Sequence, residues 1–322
     1  MPKYAIINAD DFGLAPGINR GIIEAYRAGG ITSTTLMVNM PGFQDAVQLM
    51  RSVPCPGVGL HFNLTYGTPI SPPYLVPSLV LPDGRFRNNI VQDGIRDERE
   101  IELELEAQWN KFIATGFRPT HLDSHHLLHQ SFPAVFRKMA RLAVRESIPL
   151  RRVQAEHAAA APAPLTTDFV LLDSYPRPDG LYKLLQYLHT LPEGTTEIMC
   201  HPGYVDSTLL SISKWIEIRE AELDVFKNPA IAQTMRELDI IPLHYGQLTG
   251  EMNFAVVPPA PPELPEEVPA VRPRKKKAAS RLRIRGKRRK KRAAFSKRAA
   301  RSNSVKSGGR ARSRHKSKRS AA

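Results

Sequence analysis

Short apolar runs rich in β-branched residues alternate along this chain with longer amphipathic stretches, and that rhythm predicts its elements. The first run, residues 4–7, has the length and composition of a buried strand and stops at two adjacent carboxylates, Asp10 and Asp11, before Gly13. Residues 15–28 read as a helix, because Pro16 suits a first turn, Ile18, Ile22 and Ala25 share a face, and Gly29-Gly30 ends it. A strand at 31–38, a helix at 42–51 and a strand at 57–61 follow, the last closing on His61. Residues 66–93, rich in Pro, Gly and Asn, then form a long loop over one face. Loops of that length in compact domains are usually functional or mobile.

Residues 97–115 resume as an amphipathic helix, with Ile101, Leu105, Trp109 and Phe112 on one face and Glu102, Glu104 and Glu106 toward solvent. A strand at 119–123 runs into Ser124-His125-His126, followed by a helix at 132–146 and a strand at 150–153. After an Ala/Pro stretch at 155–164 come a strand at 169–172, a helix at 180–190 and a strand at 196–201 that ends on His201. Helices at 213–226 and 229–238 and a short strand at 240–242 complete the pattern. These units predict an α/β fold, a barrel-like (β/α) arrangement of the distorted TIM type with about seven parallel strands. An open doubly wound sheet fits the count less well, and no glycine-rich nucleotide loop follows any strand.

Composition divides the chain. The net charge of +15 is carried by the residues from Arg272 onward, which hold 24 Lys and Arg and no acid, leaving 22 bases against 31 acids before them. The expected organisation is a barrel domain at 1–255, a stiff Pro/Glu-rich linker at 256–273 and a disordered Lys/Arg-rich tail at 274–322. No apolar run reaches the roughly 18 residues needed to span a bilayer, and the N-terminus lacks signal-peptide features, so a cytoplasmic protein is expected. Cys55 and Cys200 are too few and too distant for a disulfide framework and read as buried small residues.

Three strand ends carry candidate ligands: Asp10-Asp11, His61, and the segment from His121 to His129 with its four histidines. In a parallel barrel the carboxyl ends of all strands share one rim, so these groups can converge. One carboxylate and two imidazoles around a divalent ion, with positions left for water and substrate, make a hydrolytic metal site. Of the segment's histidines one or two at most can be ligands; His126, next to His125, should point elsewhere, and His129 should support from behind. Asp123 either orients an imidazole or caps the loop. His201 is a candidate general acid, whereas His157, His189, His244 and His315 read as structural or solvated.

Four motifs in series, Asn8-Ala9-Asp10-Asp11-Phe12-Gly13, Gly59-Leu60-His61-Phe62-Asn63-Leu64-Thr65, Thr120-His121-Leu122-Asp123-Ser124-His125-His126 and Met199-Cys200-His201-Pro202-Gly203, resemble those of the YdjC-like carbohydrate deacetylases. The resemblance runs from about Lys3 to about Thr249 and leaves the tail outside it. It implies a (β/α) barrel-like fold and a divalent metal, magnesium with zinc as the alternative, held by Asp11, His61 and His125. It further implies Asp10 as catalytic base and an N-acetylated sugar or oligosaccharide as substrate, of the chitooligosaccharide or N-acetylglucosaminyl-lipid type; His201 as acid follows by analogy with other polysaccharide deacetylases. Tyr74 and Phe86, in the long loop, are then candidates for stacking on a sugar ring.

The tail suggests a second class, a nucleic-acid-associated protein, because a run such as Lys287 to Arg292 attracts any polyanion. Its near lack of aromatic residues argues against base stacking, and it reads better as a weak tether to nucleic acid or an anionic membrane surface. A metal phosphoesterase would want more carboxylates than these strand ends supply. A homodimer is compatible with the sequence.

Overall fold

A computed structural model describes residues 2–53, 57–88, 97–153 and 163–248 of the chain. At its centre lies β1 (Lys3–Phe12), in which every residue after Lys3 is buried. A strand covered on both faces has no solvent side, so its sequence shows an unbroken apolar run rather than alternation with charge. Along one edge of β1, from Lys3 to Ala9, runs β6 (Gly194–Cys200). The other edge is shared: β7 (Ile240–Pro242) takes Lys3 to Ala5, and β2 (Ser33–Leu36) takes Asn8 to Phe12. Beyond these, β3 (Gly57–Phe62) and β4 (Leu122–Ser124) extend one flank and β5 (Phe169–Leu171) the other. The order is β4-β3-β2-β1-β6-β5, all parallel, and the sheet curls into a half-barrel. The expected barrel-like α/β fold is therefore present.

The helices are α1 (Pro16–Arg27), α2 (Phe43–Ser52), α3 (Glu98–Ile113), α4 (Leu128–Ser131), α5 (Pro133–Glu146), α6 (Gly180–Thr190), α7 (Ser207–Ile212), α8 (Glu217–Phe226) and α9 (Pro229–Glu237). Strand alternation sorts the residues between two faces. Ala5, Ile7 and Ala9 of β1, Leu60 and Phe62 of β3, and Ile198 and Cys200 of β6 belong to the main core. The alternate positions Tyr4 and Ile6 join Leu243, Tyr245 and Leu248 in a small separate apolar cluster. Further along the same face come Asn8, Asp10, His61, His121, Asp123 and Glu197, all buried and all polar. The concave side is thus apolar toward the strand starts and polar toward the strand ends.

Several local expectations change. Leu150 meets Leu122 in an isolated bridge, so 150–153 is not a strand; its amide N–H is taken instead by the Leu165 carbonyl. The helix expected over 213–226 begins only at Glu217, because the Trp215 N–H turns back to Ser213 Oγ at 3.1 Å, and a separate short helix, α7, ends just before it at Ile212. Asp206 supplies the missed start, accepting from Leu209 N at 2.8 Å. Glu104 is not solvated but fully buried. It accepts from the backbone N–H groups of Ile70 and Ser71 and from Gln108 Nε2, at 2.9, 2.8 and 2.7 Å. The long loop folds over that side of α3, giving the helix a second covered face that periodicity toward the sheet does not reveal. Cys200 is buried as expected, whereas Cys55, most of 155–164, the linker at 256–273 and the tail at 274–322 lie outside the described residues. Among the described residues no helix is long and apolar enough to cross a membrane.

Glu104 is therefore a clasp between α3 and the loop that follows β3. Glu104→Ala leaves two buried N–H groups and an amide without an acceptor, and should lower the unfolding free energy by about 2–4 kcal/mol in a urea titration. An unchanged midpoint would show that the clasp contributes nothing.

Candidate active site

Adjacent residues on a regular strand face opposite ways, yet Asp10 and Asp11 line the same cavity. The cause is a bulge: between Ala9 and Phe12 the register against β2 shifts, and Asp11 adopts φ 69°. That left-handed region is rare for residues other than glycine, with Asp and Asn the most tolerant. Gly13, at φ 88°, finishes the turn where a Cβ would come within 2.7 Å of the Met37 carbonyl oxygen. Its N–H donates to Asn19 Oδ1 of α1 at 2.6 Å, which ties the turn to the helix behind it.

The bulge brings Asp11 to two imidazoles. Asp11 Oδ1 lies 3.2 Å from His61 Nε2 and 3.0 Å from His125 Nδ1, and one ligand atom from each of the three residues lies within 4.8 Å of the other two. His61, at the end of β3, is held from behind by Asp123, whose Oδ1 meets its Nδ1 at 2.6 Å. Thr35 Oγ1 donates to the other Asp123 oxygen at 2.9 Å. Of the two roles open to Asp123, orienting an imidazole is the one observed. Burial disfavours a charge on His61, but Asp123 and the hydrogen bonds to Asp11 and Asp123 outweigh it and raise its pKa to about 10. Burial likewise disfavours ionised Asp11, yet Arg219 and His125 hold it well below the usual carboxylate range. The place between these side chains draws positive charge, and a cluster of one carboxylate and two imidazoles is a donor set able to hold a divalent cation. A second group, Asp10, His61 and Asp123, is equally close, but Arg151 already binds both of its carboxylates.

Arg151 is the charged centre beneath the rim. Its Nη1 and Nη2 donate to Asp10 Oδ2 and Oδ1 at 2.8 and 2.6 Å, and its Nε donates to Glu197 Oε1 at 2.8 Å. It also stands 3.0 Å from Asp123 Oδ2. Burial works against the Asp10 charge, but the Arg151 guanidinium overcomes it and keeps Asp10 far below the usual carboxylate range. Glu197, where burial prevails over Arg151, is lifted to about 7 and accepts from the Tyr245 hydroxyl. His121, stacked on Tyr245 with centroids 3.9 Å apart, lies within 3.2 Å of Asn8 Oδ1 and belongs to this support, not to the cavity lining.

His201 follows β6 and lines the same cavity, with Nε2 3.9 Å from Asp10 Oδ2 and Nδ1 3.8 Å from Glu222 Oε2. Glu222 also accepts the backbone N–H of His201. Trp215 sets its ring edge-on to His201 at 4.7 Å and under the Arg219 guanidinium, which reaches Asp11 Oδ2 at 2.6 Å. All five residues singled out in the sequence, Asp10, Asp11, His61, His125 and His201, therefore meet at one cavity of about 560 Å³.

Other expectations at the rim are corrected. His126 does not point away: it lines the cavity, stacks on His125 at 3.9 Å, and is pushed down to about 4 by burial and by its neighbour. Its φ of 54° turns the chain so that consecutive imidazoles share a side. His129 does sit behind, bonded to Ser124 Oγ. Phe86 is buried in the core and Tyr74 is exposed away from the cavity; the aromatic residues at the site are Tyr66 and Trp215. Arg151, Arg219, Glu197, Glu222 and Trp215 escaped the sequence reading. For Glu197 a signal existed, since Glu197, Met199 and His201 keep the period of two that ends on a recognised residue.

Known proteins resemble this chain over the described barrel. The family described as YdjC-like protein matches residues 4–237. A carbohydrate deacetylase from Geobacillus stearothermophilus is 42% identical over 241 residues, covering 74% of this chain and 94% of that protein. A chitooligosaccharide deacetylase from Enterobacter sp. (strain 638) is 39% identical over 245 residues, covering 74% of this chain and 96% of its own length. Among solved structures, that of a putative cellobiose-phosphate cleavage protein from Enterococcus faecalis V583 superposes with a TM-score of 0.73 at 32% identity, covering 77% of this chain and all of the other. The chain belongs to the YdjC-like family.

The geometry makes the stability of the rim depend on Arg151. Arg151→Met strands three buried carboxylates and should cost about 3–5 kcal/mol in chemical denaturation, or prevent folding outright. A loss below about 1 kcal/mol, the range of an exposed ion pair, would mean that the carboxylates do not rely on it.

Proposed function

We propose that this YdjC-like chain is a metal-dependent hydrolase that removes the acetyl group from an N-acetylated sugar. In this reading Asp10 is the general base, His201 the general acid, and Asp11, His61 and His125 hold one divalent cation. The observation that carries it is the meeting of Asp11 Oδ1, His61 Nε2 and His125 Nδ1 beside Asp10 and His201 at a single cavity. The names of the relatives, carbohydrate and chitooligosaccharide deacetylase, supply the substrate class.

When bound, a divalent cation supplies the Lewis acid that polarises an acetamide carbonyl and acidifies water. The remaining work falls to the chain. Asp10, fixed at both oxygens by Arg151, removes a proton from the water that attacks the carbonyl carbon. The Arg151 fork keeps Asp10 ionised and fixes the direction in which it can accept that proton. His201 Nε2, 3.9 Å from Asp10 Oδ2, gives a proton to the sugar nitrogen as the carbon–nitrogen bond breaks, releasing acetate and the free amine. Glu222, which accepts the His201 backbone N–H and lies 3.8 Å from its Nδ1, helps to place that imidazole beside Asp10.

Two imidazoles and one carboxylate suit zinc by donor chemistry, whereas the family resemblance points to magnesium. Chelation should silence acetate release from N-acetylglucosamine oligomers, and restoring each ion separately identifies the working metal. Asp10→Asn should lower turnover by about 10²–10⁴-fold while calorimetry still detects metal binding. Undiminished acetate release by that variant would remove Asp10 from the role of base.

Asp123 touches no substrate in this scheme but sets the His61 tautomer. Asp123→Asn should weaken metal affinity about 10–100-fold in a competition with a coloured chelator. Equal affinity in variant and parent would show that His61 needs no orientation from behind.

A further inference from the structure

Arg219 has more to donate than its partners take up. It is the third residue of α8, 2% exposed, and lines the cavity at the rim. Its Nη2 donates to Asp11 Oδ2 at 2.6 Å, and its Nε reaches the Trp215 carbonyl oxygen at 3.5 Å. Its Nη1 is buried and has no acceptor among the described residues. Asp11 does not take up this spare donor, because its other oxygen faces His61 and His125. Arg151 is the contrast within the same site: all three of its side-chain nitrogens are engaged, by Asp10 and Glu197. Buried donors nearly always have partners, so an unmatched one on the wall of a cavity points to a ligand atom.

The surroundings of Arg219 indicate which ligand atom. The Trp215 ring centroid lies 4.7 Å from the guanidinium carbon and, edge-on, 4.7 Å from the His201 imidazole. One indole therefore touches both the spare donor and the residue assigned above to protonate the sugar nitrogen. The oxygen and nitrogen of an acetamide are bonded to the same carbon, so a ligand whose nitrogen faces His201 has its acetyl oxygen close by. A sugar hydroxyl could also accept from Nη1. The acetyl oxygen, however, is the atom on which negative charge develops during hydrolysis, and a hydrogen bond from a guanidinium to an anionic oxygen is the stronger kind.

We propose that Arg219 is a further catalytic residue, its Nη1 donating to the acetyl oxygen of the substrate. The proposal rests on the deacetylase reading above and adds a contact which that reading lacks. As water adds to the carbonyl carbon and gives its proton to Asp10, the π pair of the carbon–oxygen bond moves onto the acetyl oxygen, where the guanidinium meets it. The pair returns when the carbon–nitrogen bond breaks and the nitrogen takes its proton from His201. The donor is already in place beneath Trp215 and out of water, so it stabilises the developing charge without reorganising. Released acetate keeps an oxygen for the same donor, and it should therefore inhibit through Arg219.

The test compares the full chain with Arg219→Lys, which keeps a positive charge beside Asp11 but loses the planar fork of two terminal nitrogens. With N-acetylglucosamine oligomers, kcat should fall by about 10²–10³-fold while KM changes little. Inhibition by added acetate should weaken by about tenfold or more. Metal affinity, read in competition with a coloured chelator, should stay within about threefold of the parent's, because the charge next to Asp11 is retained. A role confined to supporting Asp11 would instead lower metal affinity in step with turnover and leave acetate inhibition as it was. That pattern, or a kcat equal to the parent's, overturns the proposal and leaves the deacetylase reading standing. Should the variant not fold, the metal-free parent decides: acetate should change its tryptophan fluorescence saturably through Trp215, where chloride at equal ionic strength does not, and the absence of such a change also overturns the proposal. A metal-loaded parent that releases no acetate removes the deacetylase reading and this proposal together.

Discussion

The burial of one guanidinium among carboxylates is the constraint from which the rest of the site follows. Arg151 is 1% exposed, and Asp10, Asp123 and Glu197 around it are equally hidden. None of these charges would remain ionised alone at such depth, since the cost of removing each from water is several kcal/mol. Together they fix one another: the fork on Asp10 sets where a base would act, and the contact with Asp123 sets which Asp123 oxygen is left for His61. Arg151 thereby fixes both Asp10 and, through Asp123, an imidazole whose far nitrogen faces Asp11. Proton transfer and ion binding are usually treated as separate functions of a site. In the proposed roles the two would rest on a single buried support.

That support is possible because the concave side of the sheet is polar at its upper end. The helices bury the apolar positions of each strand, leaving the alternate positions of β1, β3, β4 and β6 free to carry Asn8, Asp10, His61, Asp123 and Glu197. A side chain there sits between strands on a stiff sheet, with its backbone hydrogen bonds already satisfied. The small apolar cluster around Tyr4, Ile6 and Tyr245 closes the interior toward the strand starts. Polar groups are consequently desolvated from behind and reachable only from the rim, the arrangement in which electrostatic interactions are strongest.

Much of this was readable before any coordinates. Strand ends in a parallel sheet share a rim, so Asp10, Asp11, His61, His201 and the segment from His121 to His129 are assigned to one place by position, and the family resemblance picks His125 out of that segment. What could not be read depends on events that leave no periodic trace. The left-handed turn at Asp11 defeats the rule that neighbouring strand residues diverge, and the one at His126 does the same for the histidine pair. Arg151 lies on a segment too irregular to be a strand, while Arg219 and Glu222 reach the rim from α8, a helix more than two hundred residues from Asp11 along the chain. Helical periodicity identifies which face is covered but not which side chains extend past the end of the sheet.

The charge balance of the site gives a final step. Five buried carboxylates, Asp10, Asp11, Asp123, Glu197 and Glu222, confront two buried guanidiniums, Arg151 and Arg219. Such an excess of negative charge is unfavourable unless some of it is cancelled, and the cluster shows two responses. Burial lifts Glu197 to about 7, and Asp123 with the hydrogen bonds to Asp11 and Asp123 raises His61 to about 10; both shifts favour the less negative form. A divalent cation beside Asp11 would do the second job better, because it would bring two charges where a proton brings one and let His61 act as a neutral donor. Burial opposes the charge on Asp10, but the Arg151 guanidinium overcomes it with His61 adding to the effect, so Asp10 stays a carboxylate within this cluster.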